Sequence, residues 1–181
     1  MRSHNIRQSQ NVVLYENAKG WYAERTAFVF RTFGHQNVRV LDGGLQKWMD
    51  EGKPTVKDAE VINETDFDYI YNGDSVMDYE DIVKARDDGS VQIVDIRSDQ
   101  MVKGAGKIPN SIHIETVNFF AKEGDLKSAE EINKIFEEKN VDISKPMVFT
   151  CNMGIQATIG KAAAEKAGAT GQTYLYDGSQ T

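Results

Sequence analysis

Hydrophobic positions along the chain fall into short β-branched runs separated by longer stretches with helical spacing. Residues 11–15 (NVVLY) form the first apolar run, and after a loop through Gly20 come Trp21, Ala27, Phe28, Phe30 and Phe33 before a stop at Gly34. Residues 38–41 (VRVL) predict a second strand, and Asp42-Gly43-Gly44 turns into a short helix over 45–50. From Lys53 to about Ser75 the pattern loses its period around Pro54 and an acidic stretch over 58–68, which predicts a connection. Beyond it, 78–81 opens a helix to Arg86, 91–94 (VQIV) is a strand, and 108–114 is an extended segment after a loop. Residues 128–139 read as an amphipathic helix with Ile132, Ile135 and Phe136 on its face, and Ser128 with Glu131 three residues on has N-cap chemistry. Residues 146–150 (PMVFT) make a strand ending at Cys151, 155–167 an Ala-rich helix stopped at Gly168, and 173–176 (TYLY) the last strand. Strands alternating with helices predict an α/β fold, an open parallel sheet with helices on both faces.

Part of this pattern occurs twice. At an offset of 135 positions the strand, loop, helix, glycine, strand and Asp-Gly turn recur, placing Glu16 over Cys151 and Asp42 over Asp177. Gly20 and Gly34 each fall one position from Gly154 and Gly168. Equal spacing with shared turn chemistry predicts an internal duplication. It is lopsided: the first copy has no counterpart of 77–131, and the second has none of the 45–50 helix.

Composition narrows the function classes. With 40% hydrophobic and 27% charged residues the chain is an ordinary globular one, which excludes disordered, collagenous and disulfide-framework readings. No apolar run approaches the ~20 residues of a membrane helix, so no membrane insertion is expected. A net charge of −7 argues against nucleic acid as a main partner. The charge is uneven, with 8 basic and 5 acidic residues up to Val56 and 13 and 23 beyond it. The first ten residues hold two Arg, two Ser and no acid, an echo of an organellar transit peptide, but they lack an apolar face and run into a strand.

The single cysteine, Cys151, excludes an internal disulfide and any multi-Cys zinc site, and no metal or cofactor is expected. It stands at the carboxyl end of a predicted parallel strand, where open α/β sheets carry their sites, before the loop Asn152-Met153-Gly154-Ile155-Gln156 and a helix. Backbone N–H groups at that helix start, with the positive end of its dipole, favour a thiolate or a bound anion. The competing reading is a small buried hydrophobe at a strand end. A cysteine-protease pair needs a histidine; the chain has His4, His35 and His113, of which His113 reads as a strand residue and the others lie in the first copy.

Four motifs in order carry a family resemblance: Val94-Asp95-Ile96-Arg97; Gly106-Lys107-Ile108-Pro109-Asn110-Ser111-Ile112-His113-Ile114; Thr150-Cys151-Asn152-Met153-Gly154-Ile155-Gln156-Ala157; and Leu175-Tyr176-Asp177-Gly178-Ser179. Together they resemble the second domain of a tandem rhodanese, and residues 33–48 resemble the end of the inactive first domain of thiosulfate and 3-mercaptopyruvate sulfurtransferases. The resemblance implies a rhodanese-like α/β fold in tandem with an incomplete first copy: 1–55 partial and inactive, 56–75 linker, 76–181 the domain with the Cys loop. It implies that Cys151 is the nucleophile holding a sulfane sulfur as a persulfide, cradled by the backbone of Asn152, Met153, Gly154, Ile155 and Gln156. Arg97 then contacts the anionic part of the donor, and Asp95 has a structural role in that turn. The implied partners are a small anionic sulfur donor, thiosulfate or 3-mercaptopyruvate, and a thiol or cyanide acceptor. The implied compartment is the mitochondrial matrix or cytoplasm, not the secretory route.

Departures from the family pattern shape the expectations. Met153 stands where thiosulfate-type loops carry a base and mercaptopyruvate-type loops a Ser. Lys107 replaces the His of Gly-His-Ile-Pro, and the short loop 98–106 has no second Arg, so Lys103 and Lys107 are expected to supply positive charge to the donor. A Cys-x5-Arg phosphatase loop is set aside because Ala157 occupies the Arg position. The alternative to an enzyme is a catalytically weak accessory or structural subunit of a larger assembly. Trp21, Phe28, Phe30, Phe33 and Trp48 are expected to be covered by the second unit or by a separate polypeptide, the latter a protein partner completing the truncated first domain.

Overall fold

The computed structural model describes residues 6–17, 20–57, 69–121 and 124–179; the acidic stretch 58–68 lies outside them. Elements run β1 (Val12–Leu14), α1 (Trp21–Thr32), β2 (Val38–Val40), α2 (Gly44–Asp50), β3 (Val76–Met77), α3 (Tyr79–Asp88), β4 (Gln92–Asp95), α4 (Asp99–Ala105), β5 (Ile112–His113), α5 (Ala129–Glu138), β6 (Met147–Thr150), α6 (Ile155–Lys166) and β7 (Thr173–Tyr176). They divide into two compact units, Met1–Gly73 with Glu123–Asp125, and Asp74–Lys122 with Leu126–Thr181. No described helix is long and apolar enough to cross a membrane.

The second unit is a five-stranded parallel sheet in the order β3-β7-β6-β4-β5. Its registers align two rows across all five strands. Val76, Leu175, Phe149, Val94 and Ile112 form a wholly apolar row, and one residue on Met77, Tyr176, Thr150, Asp95 and His113 form the row at the carboxyl edge. Neighbouring strand residues leave opposite faces. On one face Val148, Ile93 and Tyr176 pack with Ile82 and Ala85 of α3. On the other, α6 lies so close to β6 that a Cβ on Gly160 would sit 2.4 Å from the Phe149 ring. Each fully buried Val, Ile, Leu or Phe contributes ~1.5–3 kcal/mol, so this two-faced burial carries the unit.

Local chemistry sets the helix starts. In α5, Ser128 Oγ accepts from the Glu131 amide (3.2 Å) while Glu131 Oε2 accepts from the Ser128 amide (2.9 Å), the capping box expected there. That backbone bond from Ser128 holds the Glu131 carboxyl below its usual range. Asp78 and Asp81 make the same reciprocal pair at α3. Two elements depart from the sequence reading. Residues 99–105, read from the sequence as part of a short loop, form α4, capped by Ser98 Oγ on the Met101 amide and ended at Gly106, φ 76°. The segment 108–114 pairs only as Ile112–His113.

In the first unit β1 and β2 pair in parallel, Val12 opposite Val38 and Leu14 opposite Val40, over a core of Ala27, Phe30 and Val38. The β6–β7 pair has Met147 opposite Thr173 and Phe149 opposite Leu175, so both strands of the first pair map onto the second at the offset of 135. The helix exits match at 134: the His35 amide donates to Phe30 O as the Ala169 amide does to Ala164 O. The loop after β1 is thus one residue longer than that after β6, and the turn before β2 one shorter. The five aromatics expected to need a cover differ in burial. Phe28 and Phe30 are buried, and Trp21, Phe33 and Trp48 half-buried; Val13 of β1 and Tyr15 just after it are exposed.

Candidate functional site: the loop after the sixth strand

At Cys151 the chain leaves β6 from the middle of the sheet, between β4 and β7. Central strands of a parallel sheet end where helix starts converge, and here the convergence is with α6. Gly154 adopts φ 67°, the left-handed region that an L side chain enters only at a cost, to turn the loop into that helix. Cys151 is 2% exposed, and beside it Asn152 and Met153 face solvent, Met153 at 65%. The thiol makes no hydrogen bond among the described residues.

The backbone around it is unpaired. Among the described residues the amides of Asn152, Met153, Gly154, Ile155 and Gln156 donate to no acceptor of the chain. The first amides of a helix have no intrahelical partner, and together with the helix dipole they form a setting for negative charge. At the equivalent place in the first unit, Glu16 Oε2 accepts from the Tyr22 amide at 3.3 Å in the first turn of α1. There the chain fills the position with its own carboxylate.

Arg97 lies inside the second unit, bonded to its neighbours. The side chain is 2% exposed, with Nη2 2.6 Å and Nε 3.0 Å from the Asp95 carboxylate and Nη2 also 2.7 Å from Gly106 O. Residues two apart at a strand end share a face, which closes this pair. The guanidinium therefore holds the 105–109 loop to β4 through Nε and Nη2. Each of the two lysines has a partner of its own. Lys103 is exposed and paired with Asp99 at 3.0 Å, and Lys107 donates to Ser111 O and lines a cleft whose walls do not include Cys151. His113 lies in β5 as expected, its Nε2 2.8 Å from Arg97 O and its Nδ1 3.4 Å from Asp99.

One residue escaped the sequence reading. Thr150, directly before Cys151, is fully buried between Asp95 and Tyr176, and its Oγ1 has no hydrogen-bond partner among the described residues. A Thr closing an apolar run carries no signal of this. Among the described residues no cluster of His, Cys, Asp or Glu has the makings of a metal site.

A profile of the Rhodanese-like domain matches residues 2–51 and 78–181. The chain belongs to the rhodanese family. Mouse 3-mercaptopyruvate sulfurtransferase is 33% identical over 98% of this chain and 63% of its own length, and bovine thiosulfate sulfurtransferase 31% identical over 98% and 64%. The chain thus spans less than two thirds of the length of these relatives. The crystal structure of the 3-mercaptopyruvate sulfotransferase SseA from Escherichia coli superposes with a TM-score of 0.88 at 24% identity, covering 99% of this chain and 70% of that one. The anaerobic ergothioneine biosynthesis enzyme from Chlorobium limicola gives 0.85 at 23% identity, covering 98% and 50%. These two likenesses establish the rhodanese fold, a parallel sheet with helices on both faces.

Proposed function

We propose that this rhodanese-family chain is a sulfurtransferase working through Cys151. The Cys151 thiolate attacks the outer sulfur of thiosulfate or the sulfur of 3-mercaptopyruvate. An S–S bond forms on the protein while the donor's S–S or C–S bond breaks, and sulfite, or the enolate of pyruvate, leaves with the electron pair. An acceptor thiol, as thiolate, or cyanide then attacks the outer persulfide sulfur and Cys151 departs as thiolate. Both half-reactions keep a negative charge beside the loop, so they need donors fixed in advance. The single observation that carries the reading is the set of unpaired amides from Asn152 to Gln156 at the start of α6. Arg97 enters as a positioning residue for the loop, and Met153, exposed beside the thiol, brings no charge of its own to the approach. A reducing compartment, cytoplasm or mitochondrial matrix, suits a lone free thiol. Incubation with either donor followed by intact-protein mass spectrometry tests the reading: one added sulfur is expected, absent in Cys151→Ser.

A second reading is favoured by the first unit. A groove of about 610 Å³ there is lined by apolar side chains including Val13, Tyr15, Leu45 and Trp48. Val13 corresponds to Val148, which α3 covers in the second unit. An accessory subunit would use this face to take a helix–strand segment of another polypeptide, built like α3 with β4, and would leave the buried Cys151 idle. Absence of any sulfur adduct on a folded, thiol-accessible protein selects this reading over the enzyme.

A further inference from the structure

The second unit holds a cleft of about 300 Å³ between α3 and the loop 105–109, with no residue of the Cys151 loop in its lining. That volume is at the small end of the range for ligand sites. Ile82 and Val83 of α3 form one wall, Ile108 and Pro109 the other, and Tyr176 the floor. No carboxylate lines it, in a chain with a net charge of −7. Lys107 does, and its ammonium donates to the Ser111 carbonyl and to no carboxylate among the described residues. A cation held only by a neutral carbonyl keeps most of its attraction for an anion.

The walls are tied together in advance. Asn110 adopts φ 64°, uncommon for a residue with a side chain, and its Nδ2 donates to Arg86 O across the end of the cleft at 3.1 Å. Arg97 anchors the same loop from the sheet through Gly106 O at 2.7 Å. Arg86, at the rim, is paired with Asp87 at 2.7 Å, which leaves Lys107 as the cation for a ligand. A rigid slot with an apolar waist and one uncompensated ammonium suits a flat molecule with a single negative end. Fixed walls lower the ordering cost of binding.

We propose that this cleft binds a small organic monoanion, its carboxylate on Lys107 and its apolar body between Ile82, Val83, Ile108 and Pro109. The site stands on its own residues and does not rest on the chemistry assigned to Cys151. Calorimetric titration of the full chain with benzoate, and with benzamide as the uncharged isostere, tests it. Saturable one-to-one benzoate binding is expected, weaker by about 10-fold or more for benzamide and for Lys107→Met, because each removes one charge of the pair. Val83→Trp fills the slot from a half-buried helix position and should block binding, which keeps the question decidable if Lys107→Met unfolds the loop. Cys151→Ser should bind as wild type does. No saturable binding, equal benzoate binding by wild type and Lys107→Met, or loss of binding in Cys151→Ser overturns the proposal.

Discussion

The two strand–loop–helix passages of this chain share a register and differ in what fills the loop. β1 to α1 and β6 to α6 superimpose at offsets of 135 and 134, and each helix starts after a left-handed glycine, Gly20 at φ 69° and Gly154 at φ 67°. In the first passage Glu16 places its own carboxylate on the Tyr22 amide. In the second, a cysteine stands at the position of Glu16 and the corresponding amides stay open among the described residues. The same scaffold holds an anion in both cases on this account: a resident one in the first unit, a transient one in the second. Burial differs too, because β6 has β4 and β7 on its flanks and α3 and α6 over its faces, whereas among the described residues β1 pairs with β2 alone.

The sharpest way to break the comparison is to remove what only the second unit has. Asp95→Ala leaves the Arg97 guanidinium buried without its carboxylate, and losing one partner of a buried pair costs about 3–5 kcal/mol. Chemical denaturation should show that loss, with the 105–109 loop freed along with it; a change below ~1 kcal/mol would mean that the pair is solvated in solution.

How closely the helix packs on its sheet gives a smaller effect. Gly160 faces the Phe149 ring, whereas the matching position of α1 is Thr26, exposed and bonded to Tyr22 O at 2.7 Å. Gly160→Val should destabilise by about 1–3 kcal/mol through overpacking, and Thr26→Val by only a few tenths, within the ±0.5 kcal/mol usual at surface positions. Similar melting shifts for the two variants would remove the difference in packing between the units.

The sequence made the sheet legible and the site only partly so. Apolar runs such as PMVFT and TYLY exceed what any surface segment tolerates, so the strands and the position of Cys151 at a strand end followed directly, as did the capping box at Ser128. The destination of Arg97 did not. An Asp-x-Arg spacing is equally consistent with a side chain that reaches a ligand and with one that folds back on its neighbour, and only the burial of Asp95 decides between them. α4 is short and holds Gly104 with Gly106 at its end, so its helical signal is weak in the sequence despite the cap at Ser98. The cleft at Lys107 was invisible for a different reason: its walls come from α3, the 105–109 loop and β7, which no local pattern links.

The smallest effect sharpens the resident-anion idea. Glu16→Ala removes the carboxylate from the start of α1, where a charge is worth ~0.3–1 kcal/mol at low ionic strength. The loss should fade as salt is raised, and a salt-independent loss would point instead to packing of the side chain.

The most direct measurement of the central claim is the intact mass of the protein after exposure to thiosulfate and, separately, to 3-mercaptopyruvate. Open amides at the start of α6 beside a free thiol predict a gain of one sulfur from at least one donor, its removal by cyanide or a small thiol, and no gain in Cys151→Ser. An unmodified mass with both donors, on folded protein whose Cys151 still reacts with a small alkylating reagent, would contradict the account.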